Sequence, residues 1–188
     1  MKKIAIFASG SGSNAENIIR FFKNHPSVMV DSVWSNKADA FVLERAERLN
    51  IEAHAFTKHK LAETDDLLHE LQNRKIDLIV LAGFLLLLPQ KFLCEFQVVN
   101  IHPALLPDYG GKGMYGAHVH QAVIANNEKE SGITIHLVDE VYDHGRILFQ
   151  ANCAIDPMDT PDVLAGKIHL LEMEHFPRVI EALLSGSA

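Results

Sequence analysis

Asn100-Ile101-His102-Pro103 ends an apolar run with an amide and an imidazole two positions apart, and alternation along a strand turns Asn100 and His102 to one face. That pair carries the equipment of acyl transfer. An amide N–H can bond a carbonyl oxygen as it gains charge, and an imidazole can give or take a proton near neutral pH. A loop histidine with a satisfied ring is the plain alternative. Downstream, Asp139, Glu140, Asp143 and His144 crowd residues 139–145, from which one carboxylate could reach His102; a solvated hairpin tip would look the same. His118, His120, His136, Asp139 and His144 raise the question of a metal, but without a compact His-x-x-x-His or cysteine signature none is expected.

A second constellation opens the chain. Ser9-Gly10-Ser11-Gly12-Ser13-Asn14 lies between an apolar run and an amphipathic stretch, where the N–H groups of a helix start favour an anion. Glycines let the backbone approach a phosphate, and Ser11, Ser13 and Asn14 add donors. A tight turn capped by Ser13 or Asn14 is the other reading. A P-loop is excluded, since no Gly-Lys-Ser/Thr follows. Gly10, Gly12 and Ala15 match the looser dinucleotide fingerprint, yet the second strand ends in Trp34-Ser35-Asn36-Lys37 without the ribose-binding acid. A phosphate monoester suits the turn better than a dinucleotide.

These groups need a scaffold, and the alternation of short apolar runs with amphipathic stretches supplies one. Strands are predicted at 4–8, 29–34, 53–56, 78–82 and 98–101, with helices at 14–23, 40–49 and 63–72 and a short helix after Pro89. Residues 103–116 hold Pro103, Pro107 and four glycines, so they form a long loop of the kind that is disproportionately functional. A helix at 117–125 follows, then strands at 132–137 and 147–154. A last helix starts with Thr160 as cap and Pro161 in its first turn, with Ile168, Leu171, His175 and Val179 recurring along it. The expected fold is α/β: a Rossmann-like open, mostly parallel sheet with helices on both faces and antiparallel pairing among the C-terminal strands.

Composition narrows the classes. The chain has 188 residues, room for one domain spanning 1–188, and 48% hydrophobic against 22% charged residues, as in ordinary globular proteins. Seventeen Lys+Arg against twenty-four Asp+Glu give net −7, which argues against nucleic acid as the main partner. Two cysteines without C-x-x-C spacing imply neither a disulfide framework nor a zinc cage, and a reducing cytoplasm is expected. The longest apolar run, 78–88, is far short of the roughly 20 residues of a membrane span, and no signal peptide is visible.

Taken together, Ser9 to Asn14, Ser35-Asn36-Lys37-Ala38-Asp39-Ala40, Leu81-Ala82-Gly83-Phe84, Asn100-Ile101-His102-Pro103-Ala104-Leu105-Leu106-Pro107 and Asp143-x-Gly145 resemble the folate-dependent formyltransferases, in the branch serving purine biosynthesis. The resemblance runs through nearly the whole chain. It implies that the amine of glycinamide ribonucleotide attacks the formyl carbon of 10-formyltetrahydrofolate, the co-substrate, without a metal. Asn100, His102 and Asp143 become the catalytic residues, with protonated His102 and Asn100 stabilising the oxyanion and Asp143 sustaining that charge and helping move the amine's proton. Gly12, Ser13, Asn14 and Glu172 become the phosphate and ribose site. The folate is expected along Phe84, Leu85, Leu86, Leu87 and Leu88, with Asn100 and with the backbone of 139–143, Asp139 and Glu140 included. For 84–88 a plain core strand overrunning its sheet is the alternative.

Leu86 stands where many relatives carry arginine, His144 replaces a common glycine, and the 109–116 loop with Lys112 resembles one sub-branch. Two small molecules are the expected partners, with no nucleic acid and no membrane; a homodimer is left open. Methionyl-tRNA formyltransferases share the Asn-x-His core but are longer, with an RNA-binding domain for which no room is expected here. Deformylases share it without needing the serine and glycine turn, and a nucleotide-binding regulatory module would leave Asn100, His102 and Asp143 unexplained.

Overall fold

The computed structural model describes residues 1–186; the last two residues of the expected 1–188 domain lie outside them. Strands β1 (Lys2–Phe7), β2 (Val28–Ser35), β3 (Glu52–Ala55), β4 (Leu78–Leu81), β5 (Gln97–His102), β6 (Glu130–Leu137) and β7 (Ile147–Ala154) form one sheet in the order β3-β2-β1-β4-β5-β6-β7. The first five run parallel, and β6 and β7 join antiparallel. The expected α/β sheet is therefore observed.

Alternation decides how the sheet is covered. In β1, Ile4 and Ile6 enter one apolar cluster while Ala5 and Phe7 enter the other, and all four are fully buried. Helices α1 (Ser13–Phe22), α2 (Phe41–Arg48), α6 (Ala117–Ala125) and α7 (Pro161–Ser185) contribute to the first cluster; α3 (Lys58–Ala62), α4 (Asp66–Arg74) and α5 (Gln90–Glu95) contribute to the second. Each parallel crossover thus buries its apolar stripe on one face.

Two helical expectations are corrected. The helix predicted at 63–72 is found as α4, which begins only at Asp66, and a further short helix, α3, precedes it, started by Thr57 accepting a bond from Lys60 N. Along α7 the fully buried positions are Leu164, Ile168, Phe176, Pro177 and Ile180; His175 is only half-buried, so the buried stripe lies one position away from the one read in sequence. The N-terminal part of α7 is as expected, with Thr160 accepting from Val163 N and Pro161 in the first turn.

The strand order places the site. From β1 the chain crosses to β2 on one side, whereas β4 pairs with β1 on the other, so the loops after β1 and β4 diverge and leave a crevice at the carboxyl edge. Ser9 ties its rim together: its N–H reaches Gly83 O at 3.0 Å, its hydroxyl donates to Asn36 Oδ1 at 2.6 Å, and it accepts from Leu85 N at 3.0 Å. Gly12 sits in the left-handed region at φ 78, and a Cβ there would lie 2.4 Å from Val42 Cγ2. Gly12→Ala should therefore destabilise the protein by roughly 1–3 kcal/mol through strain and overpacking. Urea denaturation measures this; an unchanged midpoint would refute the tight approach of the turn to α2.

Candidate active site

The residues after β5 form the chemical centre. Antiparallel pairing sets Asn100 opposite His136 and His102 opposite Thr134, so β6 brings an imidazole beside the amide. Thr134 donates its hydroxyl to Ala104 O and accepts from Leu106 N, which pins the chain as it leaves β5. The loop from β6 to β7 then returns Asp143, held at φ 55, to the same place.

Asp143 is the hub. Its Oδ2 accepts from Gly111 N at 3.0 Å and lies 3.4 Å from His102 Nδ1; its Oδ1 accepts from Asn100 Nδ2 at 3.4 Å and lies 3.7 Å from His136 Nε2. Burial alone would raise its pKa, but the neighbouring His136 and His102 imidazoles and the Gly111 N–H outweigh that and hold it below the ordinary carboxylate value. His136 donates from Nδ1 to Leu137 O at 2.8 Å, leaving Nε2 to accept from Asn100 Nδ2 at 3.1 Å, which fixes how the amide faces.

His102 is 3% exposed and donates from Nε2 to Tyr109 O at 2.8 Å. Burial depresses its pKa, although the Asp143 charge and the Tyr109 carbonyl both oppose the fall. Burial thus opposes the protonated form of His102 that the resemblance implies at the oxyanion. Tyr109, at φ 56, begins the glycine-bearing loop, so this segment reaches the imidazole directly.

Two adjoining cavities share Gly83, Leu85, Pro103 and Tyr115, and the first of them holds this centre. The first, about 350 Å³, is walled by Phe84, Leu85, Leu86, Leu87 and Leu88 together with Asn100, His102, Lys112, Val138, Val141, Tyr142 and Asp143. Leu86, half-buried, packs on the second apolar cluster. The run 84–88 is a cavity wall and not an extension of β4, which ends at Leu81. Asp139 and Glu140 are not on this wall: the Asp139 carboxylate turns back to accept from Val141 N and to pair with His144 at 2.7 Å, bracing the loop.

The second cavity, about 450 Å³, is lined by the turn from Ser9 to Asn14 and by Lys37, His120, His169 and Glu172. No side chain caps α1, so the capping roles open to Ser13 and Asn14 are not taken. Instead Asn14 Nδ2 donates to Glu172 Oε2 at 2.9 Å, with His169 3.6 Å from the same oxygen. Phe176, one turn beyond Glu172 and fully buried, anchors α7 so that the carboxylate faces the cavity. Polar lining and apolar wall thus divide the crevice into two chemically different halves.

Comparison with known proteins agrees with this geometry. The formyl transferase family model matches residues 2–180. The chain belongs to the formyl transferase family. A phosphoribosylglycinamide formyltransferase of Bacillus subtilis is 36% identical over 98% of this chain and 95% of that one. A chloroplastic phosphoribosylglycinamide formyltransferase of Vigna unguiculata is 39% identical over 97% of this chain; the chain spans 61% of that relative's length and 65% of the Arabidopsis one. A crystal structure of the Streptococcus pneumoniae phosphoribosylglycinamide formyltransferase superposes with a TM-score of 0.85 at 36% identity, covering 98% of this chain and 99% of that one.

Within this family architecture, Lys37 and His169 are site residues that the sequence reading does not name as such, and His120 and His136 enter it only as metal candidates. Register was the missing signal, because His136 reaches Asn100 only through the pairing of β5 with β6. Among the described residues no three His, Cys, Asp or Glu side chains converge as a metal site, and no helix is long and apolar enough to cross a membrane.

Burial depresses the pKa of His102 and, against the attraction of Glu172, that of His120. The unfolded chain therefore binds these protons first. Their contribution to stability is present above the ordinary value of 6.5 and is lost as pH falls through the depressed folded values. Unfolding free energy should drop from about pH 7 to about pH 5, and His102→Gln with His120→Gln should flatten that slope. Equal slopes in denaturant titrations would contradict the assignment.

Proposed function

We propose that this chain transfers the formyl group of 10-formyltetrahydrofolate to the amine of glycinamide ribonucleotide, a step of purine biosynthesis, with Asn100, His102 and Asp143 as its catalytic residues. The observation that carries the reading is the pair of adjoining cavities sharing Gly83, Leu85, Pro103 and Tyr115: an anion-binding turn with Glu172 lines one, and an apolar wall with the three polar side chains lines the other. One small nucleotide with a free amine bridges such a crevice. The similarity of the relatives named phosphoribosylglycinamide formyltransferase supports the same substrates.

On the nucleotide side, the backbone N–H groups of Gly12, Ser13 and Asn14 would take the phosphate, with Lys37 as nearby cation, and Glu172 would accept from the ribose hydroxyls. The first cavity has the size of a small-ligand site and its 84–88 wall is suited to a flat heterocycle. A bound formyl folate supplies the carbon to be attacked.

The chain's own groups then act in turn. As the amine bonds to the formyl carbon, Asn100 donates an N–H to the formyl oxygen, and His102 turns its Nε2–H from the Tyr109 carbonyl to that oxygen. Asp143, through water, helps move the proton lost by the amine to His102 and stabilises the positive charge that this creates. The same water returns a proton to the folate nitrogen as its bond to the formyl carbon breaks, so the exchange is neutral overall. His136 keeps the Asn100 amide in its donating orientation.

Purified protein should form formylated nucleotide from the two substrates; formate release without nucleotide product would instead favour a deformylase and refute this reading. Asn100→Ala and His102→Ala should each lower kcat by about 10²- to 10³-fold, with nucleotide affinity by calorimetry little changed. Full activity in either would remove that residue from the chemistry. Asn14→Asp places a second carboxylate beside Glu172 and the phosphate turn, so KM for the nucleotide should climb; an unaltered KM would place the phosphate elsewhere.

A further inference from the structure

His120 has no place in the mechanism above, yet it is the buried imidazole of the nucleotide cavity. It lies in the first half of α6, is 7% exposed, and lines that cavity opposite Asn14 and Glu172. Among the described residues neither ring nitrogen has a hydrogen-bond partner: Nδ1 is enclosed without one, and Nε2 is the nitrogen left open to the cavity. Its helix neighbours do not need an imidazole. Val119 and Val123 supply the apolar packing of α6, while His118 is exposed.

The unpartnered state fixes the tautomer. An enclosed N–H without an acceptor is the rarer and costlier orphan, so the proton belongs on Nε2, directed into the cavity as a donor. Electrostatically, His120 feels the imidazole of His102 and the carboxylate of Glu172, with which it lines one cavity. Burial keeps it neutral near pH 7, so it offers a hydrogen bond without adding a cation beside the attacking amine.

We propose that His120 is a substrate-specificity residue, whose Nε2–H bonds the carbonyl oxygen of the glycinamide arm between the ribose held at Glu172 and the amine delivered to His102. This rests on the reading of the nucleotide substrate given above. It makes the cavity select a phosphoribosyl compound carrying an acceptor at that point of its arm.

The test compares calorimetric affinities for glycinamide ribonucleotide and for ribose 5-phosphate, which lacks the arm, in wild type, His120→Leu and His120→Gln. Glutamine can present an N–H near the Nε2 position, and leucine cannot. Removing the donor should weaken glycinamide ribonucleotide roughly 10- to 100-fold and leave ribose 5-phosphate within about twofold, with His120→Gln recovering most of the loss. In turnover the effect should fall on KM for the nucleotide and little on kcat. Equal weakening of both ligands would make His120 a structural residue and overturn the proposal, as would unchanged affinity in His120→Leu. Should His120→Leu fail to fold, affinity of His120→Gln and His120→Phe decides: loss in both, or in neither, overturns it. Wild type that binds glycinamide ribonucleotide but transfers no formyl group refutes the proposed reaction while leaving the His120 comparison intact; wild type that does not bind it refutes both.

Discussion

An ionised carboxylate placed among apolar walls must be surrounded by donors or it does not stay ionised, and Asp143 is such a group. Its partners come from three stretches of chain: the Gly111 amide from the glycine loop, Asn100 and His102 from β5, and His136 from β6. Removing any one leaves charge less compensated in a site where water cannot easily substitute. The convergence therefore constrains the positive φ of Asp143, the antiparallel addition of β6 and the approach of the glycine loop together. Gly110 belongs to the same constraint, since a Cβ there would lie 2.6 Å from Leu106 Cδ2 and 3.3 Å from the Asp143 Cβ.

The sheet decides where that carboxylate can be used. At the switch between β1 and β4 the two flanking loops leave in opposite directions, and their chemistry differs because their sequences do. Serines and glycines after β1 make an anion site; five consecutive apolar residues after β4 make a wall. In the proposed reaction a substrate with a phosphate at one end and a reactive amine at the other is held by the first half, while a flat partner is held by the second. The side chains proposed as catalytic stand beside the apolar wall because β5 lies next to β4 and ends at the same edge.

Much of this was legible locally. Alternating apolar runs marked every strand, the helix at 117–125 was read to its limits, and the Asn-x-His spacing put two side chains on one face because strand geometry has period two. What escaped depends on pairing across the chain. His136 becomes the partner of Asn100 through register, and Asp139 turns into a loop brace through a bond to His144 five residues away. The short helix α3 was signalled by Thr57, a capping residue three positions before the amide it binds, but the apolar pattern marked only the helix that follows it.

The resting protonation of His102 follows from the same competition of forces. Both ring nitrogens face acceptors, Tyr109 O and the Asp143 carboxylate, which favours the imidazolium; enclosure at 3% exposure favours the neutral ring, and enclosure is the larger effect. In the proposed reaction a neutral His102 beside an ionised Asp143 accepts the proton that the substrate amine releases. Once protonated, the ring has a carboxylate at Nδ1 and can direct Nε2–H to a developing oxyanion. The charge that burial disfavours at rest thus becomes favourable only when its counter-charge appears on the formyl oxygen, which is selective stabilisation of the transition state rather than of the bound substrate.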